Sequence, residues 1–274
     1  MRQFILPDDW EGGATCLIVG GRARYIARVL RLGIGDSFPG RDSSGRAWAL
    51  SVLESEPGRV LLSVIPFVEG PFAEGTRAKR GPPSVRLYLV QGLPKGAKMD
   101  LVVRQATEAG VTAVFPLLSA RAVLREGPRR EGPRAEEGGS LRSLRWERIV
   151  REALQQSGSS TRTEIAEPLG LRELPGALAA RGIGPSDPKI LLHEAPLAQS
   201  SMHGYLTGTP EAVVLCVGPE GGFAPEEVDY LLKTGFGPLR LAGAVLRAET
   251  AALYAIAAAQ IILSERSSWI PKPG

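Results

Sequence analysis

Apolar and polar positions follow two different rhythms along the chain. Within residues 1–66 short β-rich runs at Thr15–Val19, Ala47–Leu53 and Val60–Ile65 alternate with turn signals at Gly20-Gly21, Gly33–Asp36, Ser43-Ser44-Gly45 and Pro57-Gly58. One stretch departs from this. Ala23–Leu32 carries Ile26, Val29 and Leu30 at helical spacing, and Gly33 and Gly35 are placed to end the helix. From Val85 onward strands and helices alternate. Val85–Val90, Val111–Pro116, Lys189–His193 and Ala212–Val217 read as buried strands. Lys98–Ala109, with Met99, Val102, Val103 and Ala106 on one face, reads as a helix, as do Leu144–Gln156, Pro225–Thr234 and Glu249–Ser264. Such alternation predicts an α/β domain with a mainly parallel sheet.

Two segments lack periodic apolar positions. Residues 67–83 (FVEGPFAEGTRAKRGPP) read as a linker, and 126–143 (EGPRREGPRAEEGGSLRS) as a mobile loop. The expected organisation is a small β module over 1–67, a linker over 68–83 and an α/β domain over 84–266. At 274 residues, 43% hydrophobic and 23% charged, the chain has ample material for two cores. Apolar runs such as Val213–Val217 and Ala251–Ala259 are too short or too rich in small residues to span a bilayer, and the first residues lack a signal peptide's apolar stretch. The expectation is a soluble cytoplasmic protein with no membrane association.

Charge sharpens the picture. Residues 84–162 hold 14 basic and eight acidic side chains, whereas 163–274 hold eight and 12. Most of the central excess is arginine, whose planar fork suits phosphates and bases, so nucleic acid is a candidate partner. A solvated basic face is the plain alternative. Cys16 and Cys216 form no metal-ligand pair, His193 and His203 are the only histidines, and a metal site is not expected.

The densest candidate site follows Val213–Val217. There Gly218-Pro219-Glu220-Gly221-Gly222-Phe223-Ala224-Pro225 leads from a buried strand into a helix, at the strand end where open α/β sheets bind ligands. Its glycines let a ligand approach the main chain. The loop Gly92-Leu93-Pro94-Lys95-Gly96 is one residue short of a phosphate-binding P-loop, and no Gly-x-Ser-x-Gly elbow is present. A second candidate is Arg240–Leu253, where Arg247 stands in an apolar loop just before a helix opening at Glu249-Thr250. It can meet a phosphate or base, or pair with Glu249. A third is the helix carrying Arg145, Arg148 and Arg151 along a basic edge and Gln155, Gln156 and Ser157 at its end.

Taken together these residues resemble the SPOUT-class small-subunit rRNA uridine N3-methyltransferases of the RsmE type. The likeness rests on Gly218-Pro219-Glu220-Gly221-Gly222 with Leu246-Arg247-x-Glu249-Thr250-Ala251. It continues through Leu93-Pro94-Lys95-Gly96 with Lys98-Met99-Asp100, Ala106-Thr107-Glu108-x-Gly110-Val111, Arg145-Trp146 with Glu152-Ala153-x-x-Gln156-Ser157, and Arg28-Val29-Leu30-Arg31. Three positions depart from the pattern: Tyr25 replaces a histidine, Leu241-Ala242 replaces Leu-Gly with Gly243 displaced by one, and Ser159 replaces an arginine for which Arg162 is a substitute.

The resemblance implies a PUA-like β-barrel for RNA followed by a trefoil-knotted α/β domain. It further implies a homodimer that uses S-adenosylmethionine to methylate N3 of a specific uridine in 16S rRNA of the small ribosomal subunit. The cofactor pocket would be formed by Leu192-His193-Glu194, Val217-Gly218-Pro219-Glu220-Gly221-Gly222, Leu241-Ala242-Gly243, Val245-Leu246 and Thr250-Ala251. Arg247 and Glu249 would stand at the methyl-transfer centre. Arg247 would stabilise the uracil anion, with Glu249 or Glu220 as candidate bases. RNA contacts would fall on Arg24, Arg28, Arg31, Lys95, Arg121, Arg145, Arg148, Gln156 and Arg162. The competing readings are a SPOUT methyltransferase acting on another RNA and a non-catalytic RNA-binding or assembly protein of the same fold.

Overall fold

The computed structural model describes residues 3–67, 85–121, 133–194, 200–208, 210–241 and 245–268. The chain divides into two compact units, Met1–Ala78 with Arg151–Arg162, and Lys79–Val150 with Thr163–Gly274.

The first unit contains β1 (Phe4–Ile5), β2 (Thr15–Val19), α1 (Gly20–Arg24) running into a π turn over Tyr25–Val29, β3 (Ser37–Arg41), β4 (Ala47–Glu56) and β5 (Arg59–Pro66). These strands form a five-stranded sheet in the order β1-β3-β4-β5-β2, antiparallel except where β1 meets β3. The period-2 alternation of β4 and β5 sends Trp48, Leu50, Val52, Val60, Leu62 and Val64 to one face, where Phe4, Leu6, Ile18 and Ile26 complete a core.

The helix expected over Ala23–Leu32 is corrected at both ends. It begins at Gly20, changes to a π turn at Tyr25 and ends at Val29, with the reversal made at Arg31 rather than at Gly33. Arg31 adopts a φ of 56°, and Leu32 then donates its N–H to the Ile26 carbonyl at 3.2 Å, the backbone closure usually given to glycine. The glycines that suggested the stop lie just beyond it.

Gln3 ties the start of this unit to the 151–162 segment. Its amide nitrogen donates to the carbonyls of Leu154 and Ser159 at 2.9 and 3.0 Å, while its oxygen accepts from Arg41 Nε at 2.7 Å. Arg162 forks onto Asp8 at 2.6 and 3.3 Å, with Arg151 at 3.9 Å. The hydrogen bond from Arg162 holds the Asp8 carboxyl below the ordinary range; partial burial opposes this, and the charges of Arg162 and Arg151 reinforce it.

The second unit contains β6 (Arg86–Gly92), α2 (Lys98–Glu108), β7 (Ala113–Leu118), α3 (Pro133–Ser157), β8 (Glu164–Ile165), β9 (Leu169–Gly170), α4 (Leu174–Ala179), β10 (Lys189–Leu192), α5 (Met202–Tyr205), β11 (Ala212–Val217), α6 (Pro225–Lys233), β12 (Gly237–Leu239) and α7 (Ala248–Ser268). Their sheet runs β12-β10-β11-β6-β7-β8, with β9 also on β7, and every pair is parallel. β11 is buried at all six positions, as a central strand covered on both faces must be. Tyr88, Val90, Val214 and Cys216 meet Leu174 and Leu178 of α4 and Val228 and Leu231 of α6. α7 lies against β6, β11 and α2. The α/β architecture with a parallel sheet is therefore as the alternation predicts.

The loop expected over 126–143 is corrected in its second half, where α3 begins at Pro133; residues 126–132 lie outside the described residues, as does the linker from 68 on. Proline is well suited to a first helical position because its φ is preset and its missing N–H would be unpaired there anyway. Gly138 and Gly139, which made the stretch read as loop, each cost a helix about 1 kcal/mol relative to alanine. Buried Trp146, Ile149 and Val150 anchor α3 further along.

Candidate functional site

β12, β10 and β11 are parallel neighbours, so the segments leaving their carboxyl ends emerge side by side. They enclose a cavity of about 350 Å³. Leu192, His193 and Glu194 line it after β10. Val217, Gly218, Pro219, Glu220, Gly222 and Phe223 line it after β11, and Leu239, Arg240 and Leu241 after β12. Val245, Leu246, Arg247, Ala248 and Ala251, leading into α7, complete the wall.

Of the residues singled out in the sequence, Gly221, Glu249 and Thr250 stand outside that lining, and Ala242 and Gly243 lie outside the described residues. Gly221 faces Arg121, whose guanidinium donates to its carbonyl at 3.0 Å. Thr250 is exposed on α7, while Glu249 is buried. Phe223, Arg240 and Ala248, which fall inside the candidate segments though outside the expected cofactor pocket, belong to the lining, as does Leu239. Leu239 had no signal, because the Gly-Pro-Leu of β12 does not read as a strand.

The turn after β11 is compact because side chains are missing where it folds. A Cβ on Gly218 would sit 3.2 Å from Gly222 Cα and 3.4 Å from the Phe223 ring, and Gly222 takes a φ of 66°. A Cβ on Gly92, at the end of β6, would sit 2.5 Å from Pro219 Cδ and 2.6 Å from Pro219 N. Gln91 stitches the same junction, its amide nitrogen donating to the Gly92 and Gly218 carbonyls at 2.9 and 3.3 Å.

Two carboxylates brace the turn. Glu220 accepts from the Lys95 backbone N–H at 3.1 Å and from Lys98 Nζ at 2.6 Å. Partial burial pushes the Glu220 carboxyl up, but the Lys98 hydrogen bond and the backbone N–H donors outweigh it, so the net displacement is downward. Glu227, buried in the first turn of α6, accepts from the Ala120 N–H at 2.7 Å and the Ala224 N–H at 2.8 Å. Glu227→Ala leaves both N–H groups without that acceptor, and equilibrium denaturation is expected to show a loss of about 2–4 kcal/mol. A loss below about 1 kcal/mol would mean that water replaces the carboxylate without penalty.

Arg247 is exposed at the cavity and makes no ion pair with Glu249. Its guanidinium has no partner among the described residues. Glu249 Oε2 is buried, also without a hydrogen-bond partner among them. No group of three histidine, cysteine or acidic side chains suited to a metal occurs among the described residues. The cavity therefore offers peptide groups, apolar walls and the Arg247 guanidinium, which has no partner among the described residues.

Arg24, Arg28, Arg31 and Gln156 are exposed in the first unit, where Arg162 is held by Asp8. In the second unit Lys95, Arg121 and Arg148 are exposed, and Arg145 is paired with Asp100.

A parallel α/β sheet with a glycine turn and a cavity at its carboxyl edge is matched over residues 81–260 by the family model of the RNA methyltransferase domain. The chain belongs to that family, and within it to the ribosomal RNA small subunit methyltransferases E. It is 32% identical to the protein of that name from Aquifex aeolicus over 250 residues, covering 91% of this chain and 95% of the relative. With the Synechocystis protein of the same name identity is 29% over 252 residues, 91% and 74% of the two chains. The solved structure of a ribosomal RNA small subunit methyltransferase E from Neisseria gonorrhoeae, bound to S-adenosyl methionine, superposes with a TM-score of 0.76 at 26% identity, covering 96% of this chain and 98% of that one.

Proposed function

We propose that the protein transfers the methyl group of S-adenosylmethionine to N3 of a specific uridine in 16S rRNA of the small ribosomal subunit. The observation that carries this reading is the cavity after β10, β11 and β12, whose lining is drawn from the three segments the sequence motifs single out. The donor fits what is present. Its volume lies within the range of about 300–1,000 Å³ usual for small-molecule sites. Leu192, Val217, Leu239 and Leu246 supply apolar walls, and a side chain at Gly218 or Gly92 would press on the turn that forms one of them.

The bound donor supplies an electrophilic methyl on its sulfonium, so the protein's own tasks are orientation and charge. The peptide groups of the Gly218–Gly222 turn hold the donor. Arg247, at the cavity and with no carboxylate paired to it among the described residues, stabilises the negative charge left on uracil when N3 loses its proton. Glu220 is occupied by Lys95 and Lys98, which leaves Glu249, with a buried oxygen unpartnered among the described residues, as the unoccupied candidate base although it stands outside the lining. The target base must be unpaired, because its Watson–Crick edge is the reacting edge.

The finer architecture belongs to the same reading. The first unit serves as a PUA-like RNA-binding module, and the strand order β12-β10-β11 suits a chain that threads into a trefoil knot. Leu253, Tyr254 and Ile261 leave an apolar strip exposed on α7, which suits pairing of two copies into a homodimer. No described helix is long and apolar enough to cross a membrane. A cytoplasmic location belongs to the same reading, supported by the names of the rRNA methyltransferase relatives.

Transfer of labelled methyl from S-adenosylmethionine to small ribosomal subunits from a deletion strain, with mapping of the modified nucleotide, tests the whole reading. Label on another RNA, or none, would overturn it. Phosphate contact by Arg24, Arg28 and Arg31 is tested by salt titration of RNA binding. Replacing all three by alanine is expected to make the log–log slope shallower by about 2. An unchanged slope would remove them from the interface.

A further inference from the structure

The pairing of Lys98 with Glu220 is more than general stabilisation requires. Lys98 is the first residue of α2, where the helix dipole favours an acid and disfavours a cation. Ala97, the cap before it, gives no side-chain hydrogen bond to the helix end. A sequence chosen only for α2 would not put lysine there. Its ammonium instead crosses to Glu220 at 2.6 Å, with the two side chains 35% and 23% exposed. The Lys95 N–H bonds both oxygens of the same carboxylate, at 3.1 and 3.2 Å. Donors from one short loop thus converge on a single side chain of the cavity wall.

That side chain belongs to the glycine turn of the wall. Glu220 is followed by Gly221 and Gly222, which lack the side chains that would narrow the backbone's choice, and within the turn the Gly222 N–H donates to the Pro219 carbonyl at 2.9 Å. A short, charge-assisted contact from the end of a helix restricts it from outside. We propose that Lys98 is a positioning residue for methyl-donor binding, acting through Glu220 to hold the Gly218–Gly222 turn in its ligand-ready shape. The assignment rests on the cavity being the S-adenosylmethionine site. Lys98 is not among the residues lining the cavity; it supplies order that the donor would otherwise have to impose at the expense of affinity.

The test is calorimetry with S-adenosylmethionine and steady-state kinetics on the full chain, comparing Lys98→Met, Lys98→Arg, Glu220→Gln and the double variant Lys98→Met with Glu220→Gln. Lys98→Met is expected to raise the donor Kd and KM about tenfold, or about 1.4 kcal/mol. The turnover at saturating donor and the KM for RNA stay near those of the parent. Lys98→Arg restores most of the affinity, and the double variant is no worse than the weaker single one, because both changes break one coupling. A merely structural pair would lower the melting temperature and leave the donor KM in place, and that result overturns the proposal. So does a Lys98→Met donor Kd equal to the parent's. Lys98→Gln carries the same comparison if Lys98→Met fails to fold. If the parent chain itself does not bind S-adenosylmethionine, the function reading falls and the positioning role falls with it; parent binding with an indifferent Lys98→Met overturns the positioning role alone.

Discussion

Arg247→Ala is expected to lower the rate of methyl transfer by about 10²–10³-fold, the usual loss when one preorganised charge partner of a developing anion is removed. Donor affinity should remain within about twofold of the parent, because the peptide groups and apolar walls proposed to hold the donor are untouched. Two features argue for an effect of this size. The guanidinium stands at the cavity, and no neighbouring carboxylate among the described residues neutralises it. Uracil N3 holds its proton at neutral pH, so the reaction has to create a negative charge that a nearby cation can stabilise. Single-turnover measurement with prebound donor isolates the chemical step. Full activity in that assay would remove Arg247 from the mechanism. Arg247→Lys should recover only part of the rate, since a point charge does not reproduce the planar fork.

Gly92→Ala should act on the opposite half of catalysis. The added methyl would lie 2.5 Å from Pro219 Cδ and 2.6 Å from Pro219 N, and a proline backbone cannot yield by changing rotamer. The turn after β11 must then shift away from β6, and displacements of about 1 Å at such sites are worth about 100-fold. A loss of donor affinity of that order is expected, with overpacking taking about 1–3 kcal/mol from folding stability. Gly176→Ala is the control. It lies in α4 with nothing within 4 Å of the added carbon, and alanine there should stabilise the helix by about 1 kcal/mol. Normal donor binding by Gly92→Ala would show that the turn moves freely against β6.

The sequence made the most of elements whose own pattern was decisive. β2, β11 and α6 were readable because alternation, a continuous apolar run and a proline-led acidic start are local signals. β3 was not, since Ser-Phe-Pro-Gly-Arg looks like a turn. Pro39 is tolerated because β1 pairs only with Gly40 and Arg41, so no strand on that side needs its N–H. Gly40 fits because its missing side chain leaves room for Leu50. β12, with Gly237 and Pro238, escapes notice for the same reason, and it lies at the sheet's edge. At the site, the glycine turn and Arg247 were legible as residues. Their brace was not. That Glu220 answers to Lys98, or Glu227 to Ala120, depends on which loops the sheet brings together across more than 100 positions of chain.

The turn after β11 has a practical consequence for inhibition. Its shape is set by backbone atoms and by positions where even one added carbon has no space. A competitor that draws its affinity from those peptide groups offers resistance mutations little purchase, because a side-chain exchange able to exclude the drug would exclude the methyl donor as well.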